Sequence, residues 1–156
     1  ALGHRRIAYM GYVTDRELDY RQGMHELGLE VFPEWIIGTS AVRGEIAAAC
    51  GRFAALTPRP TAIFAQSDEW AARVINELVQ LGIRVPNDVS VVGINNNPLG
   101  EMIRVPLTTL ALPTEDIGAW MAESVTEETS CEADALNVRF FPTEVVIRES
   151  SAAPPD

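Results

Sequence analysis

Two hydrophobic rhythms take turns along this chain. Segments 6–13, 61–65 and 89–94 are short apolar runs that read as strands, and 35–38 is a shorter run of the same kind. Between them, 15–27, 44–56 and 68–81 repeat apolar residues every three or four positions, the spacing of helices packed on one side. In 68–81 the stripe is Ala71, Val74, Ile75, Leu78 and Leu81. Gly82 stops that helix, and Pro86-Asn87-Asp88 turns the chain into 89–94. An almost unbroken apolar strand such as 89–94 suits a parallel sheet covered on both faces. The alternation predicts an α/β fold: an open, doubly wound parallel sheet with right-handed crossovers.

The rhythm changes after residue 95. Residues 95–106 read as a loop with two prolines, and 107–112 as a short extended run. Pro113-Thr114-Glu115-Asp116 then opens a helix, with Thr114 as N-cap and acids in the first turn. Ile117, Trp120, Met121 and Val125 give this helix an apolar face. A polar, acidic stretch at 127–137 leads to extended runs at 138–141 and 143–147, and the end reads as disordered. The expected division is 1–110 as one lobe, 111–148 as a helix and strands leaving it, and 149–156 as a disordered tail.

In open α/β sheets ligands sit beyond the carboxyl ends of the strands. That rule selects four clusters: 14–16, 39–43, 66–68 and 95–97. Thr14 and Glu17 have capping-box spacing, and Val13 with Leu18 the spacing of a hydrophobic staple. Arg16 then falls in the first helical turn, where a cation opposes the helix dipole by roughly 0.3–1 kcal/mol. It is either a solvated partner of Asp15 or Asp19, or a donor fork held over a crevice. Ser67 and Asp68 are each either an N-cap or a ligand group. Asn95-Asn96-Asn97-Pro98 is a turn composition that also presents hydrogen-bonding groups. Trp70 and Arg73 lie off the apolar stripe of their helix and are candidates for a protein contact, Trp70 being otherwise a boundary residue.

Composition narrows the function further. The net charge is −10, with 12 acids and 10 Arg in 1–110 but 10 acids and 2 Arg in 111–156. No stretch supplies the basic face that DNA phosphates require, so this piece is not expected to hold nucleic acid by itself. No apolar run approaches the ~20 residues of a membrane helix. Cys50 and Cys131 lack metal or redox spacing and read as reduced thiols, and His4 and His25 have no partner at catalytic or metal spacing. Nucleophile elbows, phosphate-binding loops and zinc motifs are lacking, so no enzyme, metal or cofactor is expected. The opening Ala1-Leu2-Gly3-His4, without Met, reads as a cut inside a longer protein.

Gly82-Ile83-Arg84-Val85-Pro86-Asn87-Asp88-Val89-Ser90-Val91-Val92-Gly93-Ile94-Asn95-Asn96, followed by Pro106-Leu107-Thr108-Thr109-Leu110, resembles the LacI/GalR family of transcriptional regulators. Segments 2–8, 16–21 and 59–65 fit the same family in the same order, so the resemblance runs to about residue 148. It implies a periplasmic-binding-protein-like effector domain (type I), here mainly its second lobe, with 111–148 returning to a first lobe. The apolar face of the helix in that segment would then lack its native partner. It further implies a cytoplasmic repressor that senses a sugar or sugar acid, forms a homodimer, and meets operator DNA only through a separate N-terminal head. A periplasmic sugar-binding protein of a transporter is the alternative.

By that resemblance Arg16 grips the effector, Asp68 is the acid of an Asn-Asp pair whose first member is here Ser67, and Thr39 stands where a larger side chain packs on the ligand. Asn95 replaces a carboxylate that accepts ligand hydroxyls, and Asp19 replaces a glycine. With Arg16 kept and Arg43 nearby, the loss of the carboxylate at 95 points to an anionic or carbonyl-bearing ligand. The dimer surface implied by the family comprises Trp70, Arg73, Glu77, Leu99 and Met102.

Overall fold

The computed structural model describes residues 2–40, 42–126 and 138–155, without the side chain of Arg43. The acidic stretch 127–137, with Cys131, lies outside the described residues. The chain runs β1 (Ile7–Gly11), α1 (Asp15–Glu26), a 3-10 turn (Pro33–Trp35), β2 (Ile36–Gly38), α2 (Arg43–Ala54), β3 (Ala62–Ala65) and α3 (Asp68–Gln80). It continues through β4 (Ser90–Ile94), α4 (Leu99–Met102), β5 (Thr108–Ala111), α5 (Thr114–Thr126) and β6 (Glu144–Val146). The six strands form one sheet in the order β2-β1-β3-β4-β5-β6. All neighbours are parallel except β6, which runs antiparallel to β5 with Thr109 opposite Val146.

Strand alternation divides the core in two. Ala8 and Met10 of β1, with Ile63 and Ala65 of β3, face α2 and α3 and pack on Ile46, Phe53, Val74 and Leu78. Tyr9 and Phe64 face the other way and pack with Tyr20 and Met24 of α1. The amphipathic stripe read in α3 is buried as expected, except that Leu81 falls just past the helix and is half exposed. Cys50 lies fully buried against α3, and burial pushes its thiol up to about 12. His4 is satisfied, its ring bonded to Thr61 Oγ1, Ser90 Oγ and the carbonyl of Ala152.

Several expectations are corrected. The loop at 95–106 contains the four-residue helix α4, too short to show a helical period. No strand forms at 138–141. Segment 144–146, expected to leave for another lobe, instead joins β5 at the edge of this sheet. The tail is ordered: Ser150 is fully buried, its Oγ donating to the Val91 carbonyl at 2.6 Å and accepting from the Thr108 N–H at 2.8 Å. Its carbonyl accepts from the Val91 N–H at 2.8 Å. A polar tail reads as disordered because its partners, the first residues of β4 and β5, are more than forty positions away. Helix α5 forms as expected but buries none of its residues, leaving Met121 and Val125 exposed.

Replacing Ser150 with alanine orphans the buried Thr108 N–H and frees one acceptor at Val91. The expected cost is about 1–3 kcal/mol, read as a lower chemical-denaturation midpoint with an unchanged slope.

Candidate functional site

The strand order sets where a ligand can sit. From β1 the chain passes to β2 on one side, and from β3 to β4 on the other, so the carboxyl ends of β1 and β3 border a switch-point crevice. A cleft of about 460 Å³ lies there, lined by Thr14, Asp15, Arg16 and Asp19 from the start of α1, by Gln66 and Ser67 after β3, and by Asn95 after β4. Three of the four clusters selected by the strand-end rule thus converge.

A close backbone approach shapes the floor. A Cβ on Gly11 would lie 2.5 Å from Gln66 Cβ, so only glycine lets the two strand ends close. The Gln66 side-chain oxygen accepts the Tyr12 N–H, and the Gln66 backbone N–H continues the ladder to the Met10 carbonyl at 3.1 Å. Arg16 reaches across and donates through Nη1 to the Gln66 carbonyl at 2.6 Å. It makes no ion pair with Asp15 or Asp19 among the described residues. One backbone bond therefore anchors the guanidinium at the cleft, and among the described residues its other donors have no hydrogen-bond partner, which favours the donor-fork reading over the solvated pair.

The capping box does not form. Thr14 is the N-cap residue of α1, but its side chain makes no cap bond: the Glu17 N–H goes to the Thr14 carbonyl at 2.9 Å, and the buried Glu17 carboxylate pairs with Arg21 one turn on instead of reaching back. Val13 and Leu18 both remain more than half exposed. At the start of α3 the cap is real: Ser67 Oγ accepts from the Trp70 N–H at 3.5 Å and donates to Glu69 Oε2 at 2.7 Å. That hydrogen bond, with a second from Asn97, holds the Glu69 carboxyl below its usual range.

Asp68 is fully buried and is not among the residues lining the cleft. Its Oδ1 accepts from Thr109 Oγ1 at 2.6 Å, and its Oδ2 from the Asn97 N–H at 2.6 Å. The resemblance had made it a ligand group; its geometry is that of a brace between α3, β5 and the loop after β4. Gly93 makes room for it, since a Cβ there would collide with Asp68 Oδ1. Asn95 and Asn96 take the left-handed backbone, at φ of 108° and 51°, which Asn tolerates better than most residues. Thr39 follows β2, bonded through its N–H to the Gly11 carbonyl, and does not line the cleft.

Of the five residues expected at a protein contact, Trp70 is withdrawn from the surface. Its ring is buried in the core, because Tyr12, just past β1, packs on this side of α3 with its ring 4.9 Å away. Arg73, Leu99 and Met102 are exposed and Glu77 is half-buried. A second groove, of about 550 Å³, runs past Arg73, Asn76, Glu77, Gln80 and Arg104. Thr109 and Arg148 shape the site without any sequence signal of their own; only Gly93 signals that something approaches the strand end there.

The fold and cleft define a one-lobed, periplasmic-binding-protein-like unit. The family of periplasmic binding protein-like domains matches residues 1–151, and the chain belongs to it. Its likeness within that family is to LacI-family regulators. It is 32% identical over 154 residues to the HTH-type transcriptional repressor PurR of Photobacterium profundum, covering 95% of this chain and 46% of the relative. It is 33% identical over 160 residues to the HTH-type transcriptional regulator DegA of Bacillus subtilis, covering 97% and 47%. The transcriptional regulator CelR in complex with cellobiose superposes with a TM-score of 0.79 at 29% identity, over 96% of this chain and 47% of that one. The chain spans about half the length of the curated relatives it matches.

Substituting Thr109 by the isosteric valine removes the Asp68 brace and the acceptor of the Asn96 N–H together. Because Asp68 is charged and buried, the expected loss is about 2 kcal/mol or more in urea denaturation, without a cavity to explain it.

Proposed function

We propose that this chain is the effector-binding and dimerising part of a LacI-family transcriptional regulator, whose effector is a small polyhydroxylated molecule such as a sugar. The observation that carries the reading is the cleft at the ends of β1 and β3, with Arg16 anchored on the Gln66 carbonyl and Asn95 opposite. The similarity to repressors and to a regulator captured with cellobiose supports it. The regulators among the relatives also favour this reading over a transporter's binding protein and over an enzyme. The setting is cytoplasmic, and operator DNA is met through a helix-turn-helix segment of the kind the relatives' names carry, since this acidic piece has no basic face. A facing lobe would complete the cleft and cover the apolar side of α5.

Charge refines the effector. The cleft holds two carboxylates, Asp15 and Asp19, against the one guanidinium of Arg16. Carboxylates accept hydroxyl protons and repel anions, so they offset the lean toward an anionic ligand that Asn95 alone implied. A neutral sugar fits this balance better than a sugar acid. Titration calorimetry with cellobiose, gluconate and inorganic phosphate tests the point. Cellobiose is expected to bind best, Arg16→Ala to weaken it by about tenfold or more, and Asn95→Asp to tighten it by about tenfold. Gluconate or phosphate binding more tightly than cellobiose overturns the assignment.

We assign the homodimer surface to α3 and α4: Arg73 and Glu77 line the second groove, and Leu99 and Met102 are exposed on α4. Met102 is 77% exposed, an apolar side chain suited to burial against a second copy. Met102→Glu is expected to convert a dimer to a monomer in sedimentation equilibrium; an unchanged mass places the interface elsewhere.

A further inference from the structure

Three neighbouring segments, the turn at 95–97, α4 and the residue before β5, meet at one guanidinium more than forty positions further along the chain. Arg148 follows β6, and only 13% of its side chain is exposed. Its Nη1 donates to the Leu107 carbonyl at 2.8 Å. Its Nη2 donates to Asn96 Oδ1 at 2.9 Å and to Glu101 Oε1 at 2.7 Å. Its backbone is pinned as well, the N–H donating to Thr108 Oγ1 at 2.9 Å.

These partners divide into two groups. Asn96 belongs to the left-handed turn whose first residue, Asn95, lines the cleft. Glu101 belongs to α4, whose first N–H, that of Leu99, is held by Asn97 Oδ1 at 2.9 Å. An isolated pair between Arg148 and an acid as exposed as Glu101 would add little. Here the fork is already fixed by the Leu107 carbonyl, so the Asn96 amide and the Glu101 carboxylate are held at a set separation. Only a planar group with several donors in fixed directions does this; an ammonium on a flexible stem does not.

We infer that Arg148 is a positioning residue that couples the cleft turn at 95–97 to the surface of α4. A ligand that pulls on Asn95 shifts Asn96, and the guanidinium carries that shift to Glu101 and the Leu99–Met102 surface. The inference takes α4 as part of a dimer surface from the function proposed above, while the junction itself rests on the contacts just described. It also places the return segment after β6 in that linkage, because Arg148 lies on it.

Amide hydrogen exchange on the ligand-free chain, read residue by residue by NMR, tests the junction. Arg148→Lys keeps the charge and removes the fork. It is expected to speed exchange about tenfold or more at Asn96, Asn97, Leu99 and Gly100, with the β1 and β3 amides unchanged. Glu101→Ala cuts only the arm to α4, and is expected to speed exchange at Leu99 and Gly100 while sparing Asn96 and Asn97. Unchanged exchange at 96–100 in Arg148→Lys, or a uniform rise that includes β1 and β3, overturns the coupling. If the lysine variant does not fold, Glu101→Ala decides alone: faster exchange confined to α4 supports the junction, and none at α4 removes it. No ligand enters this experiment, so failure of the sugar assignment and failure of the junction are separate results.

Discussion

The ends of β4 and β5 and the start of α3 depend on one buried carboxylate, that of Asp68. Moving an ionised group out of water is expensive unless hydrogen bonds replace its hydration. Asp68 meets that condition with a hydroxyl from β5 and a backbone N–H from the loop after β4. The requirement works in the other direction too: α3, β5 and the 95–97 turn are held in register because the carboxylate must be satisfied. Gly93 belongs to the same constraint, since any side chain there would occupy the space the carboxylate needs.

The cleft inherits its shape from that brace. Asn95 stands at the cleft in a backbone conformation that L-residues seldom adopt, and it stays there because the next two N–H groups bond to Thr109 and Asp68. Across from it, Gly11 lets Gln66 close the ends of β1 and β3, which puts the Gln66 carbonyl where Arg16 grips it. An arginine at the start of α1 opposes the helix dipole, and bonding to a carbonyl at the neighbouring strand end offsets that penalty. The position is unfavourable for the helix and useful for a site. Two carboxylates from the same helix turn then keep the cleft from becoming a simple anion trap.

The lower edge is held by the two ends of the chain. Ser150 fills the space where β4 and β5 begin, and Ala152 accepts from the His4 ring, so the first and last described segments close on each other. A polar tail is ordered here by backbone groups that have no other partner, rather than by apolar burial. This arrangement fixes the two terminal segments against the amino ends of the strands, while Asp68 and Arg148 fix the loops at the carboxyl ends.

Much of the architecture was legible in the residues alone. Period-two and period-3.6 patterns are local, so β1, β3, β4, α1, α2 and α3 are readable to within a few positions, and the strand-end rule selects 14–16, 39–43, 66–68 and 95–97, of which Thr14, Asp15, Arg16, Gln66, Ser67 and Asn95 line the cleft. The family likeness rode on the same local strings, above all 82–96. What those strings could not carry was direction. Asp68 and Asn95 are both polar residues at strand ends, yet one turns inward to a hydroxyl from β5 and the other stands at the cleft, a choice made by Gly93 and Thr109. Trp70 looked like a surface residue because it lies off the stripe of its helix, but the neighbouring β1 end covers that side. Ser150 and Arg148 gave no signal, because a hydrogen bond across forty or more residues leaves no period in sequence. Local pattern determined which elements exist; the pairing of distant polar groups, which only the folded sheet brings together, decided which of them face the cleft.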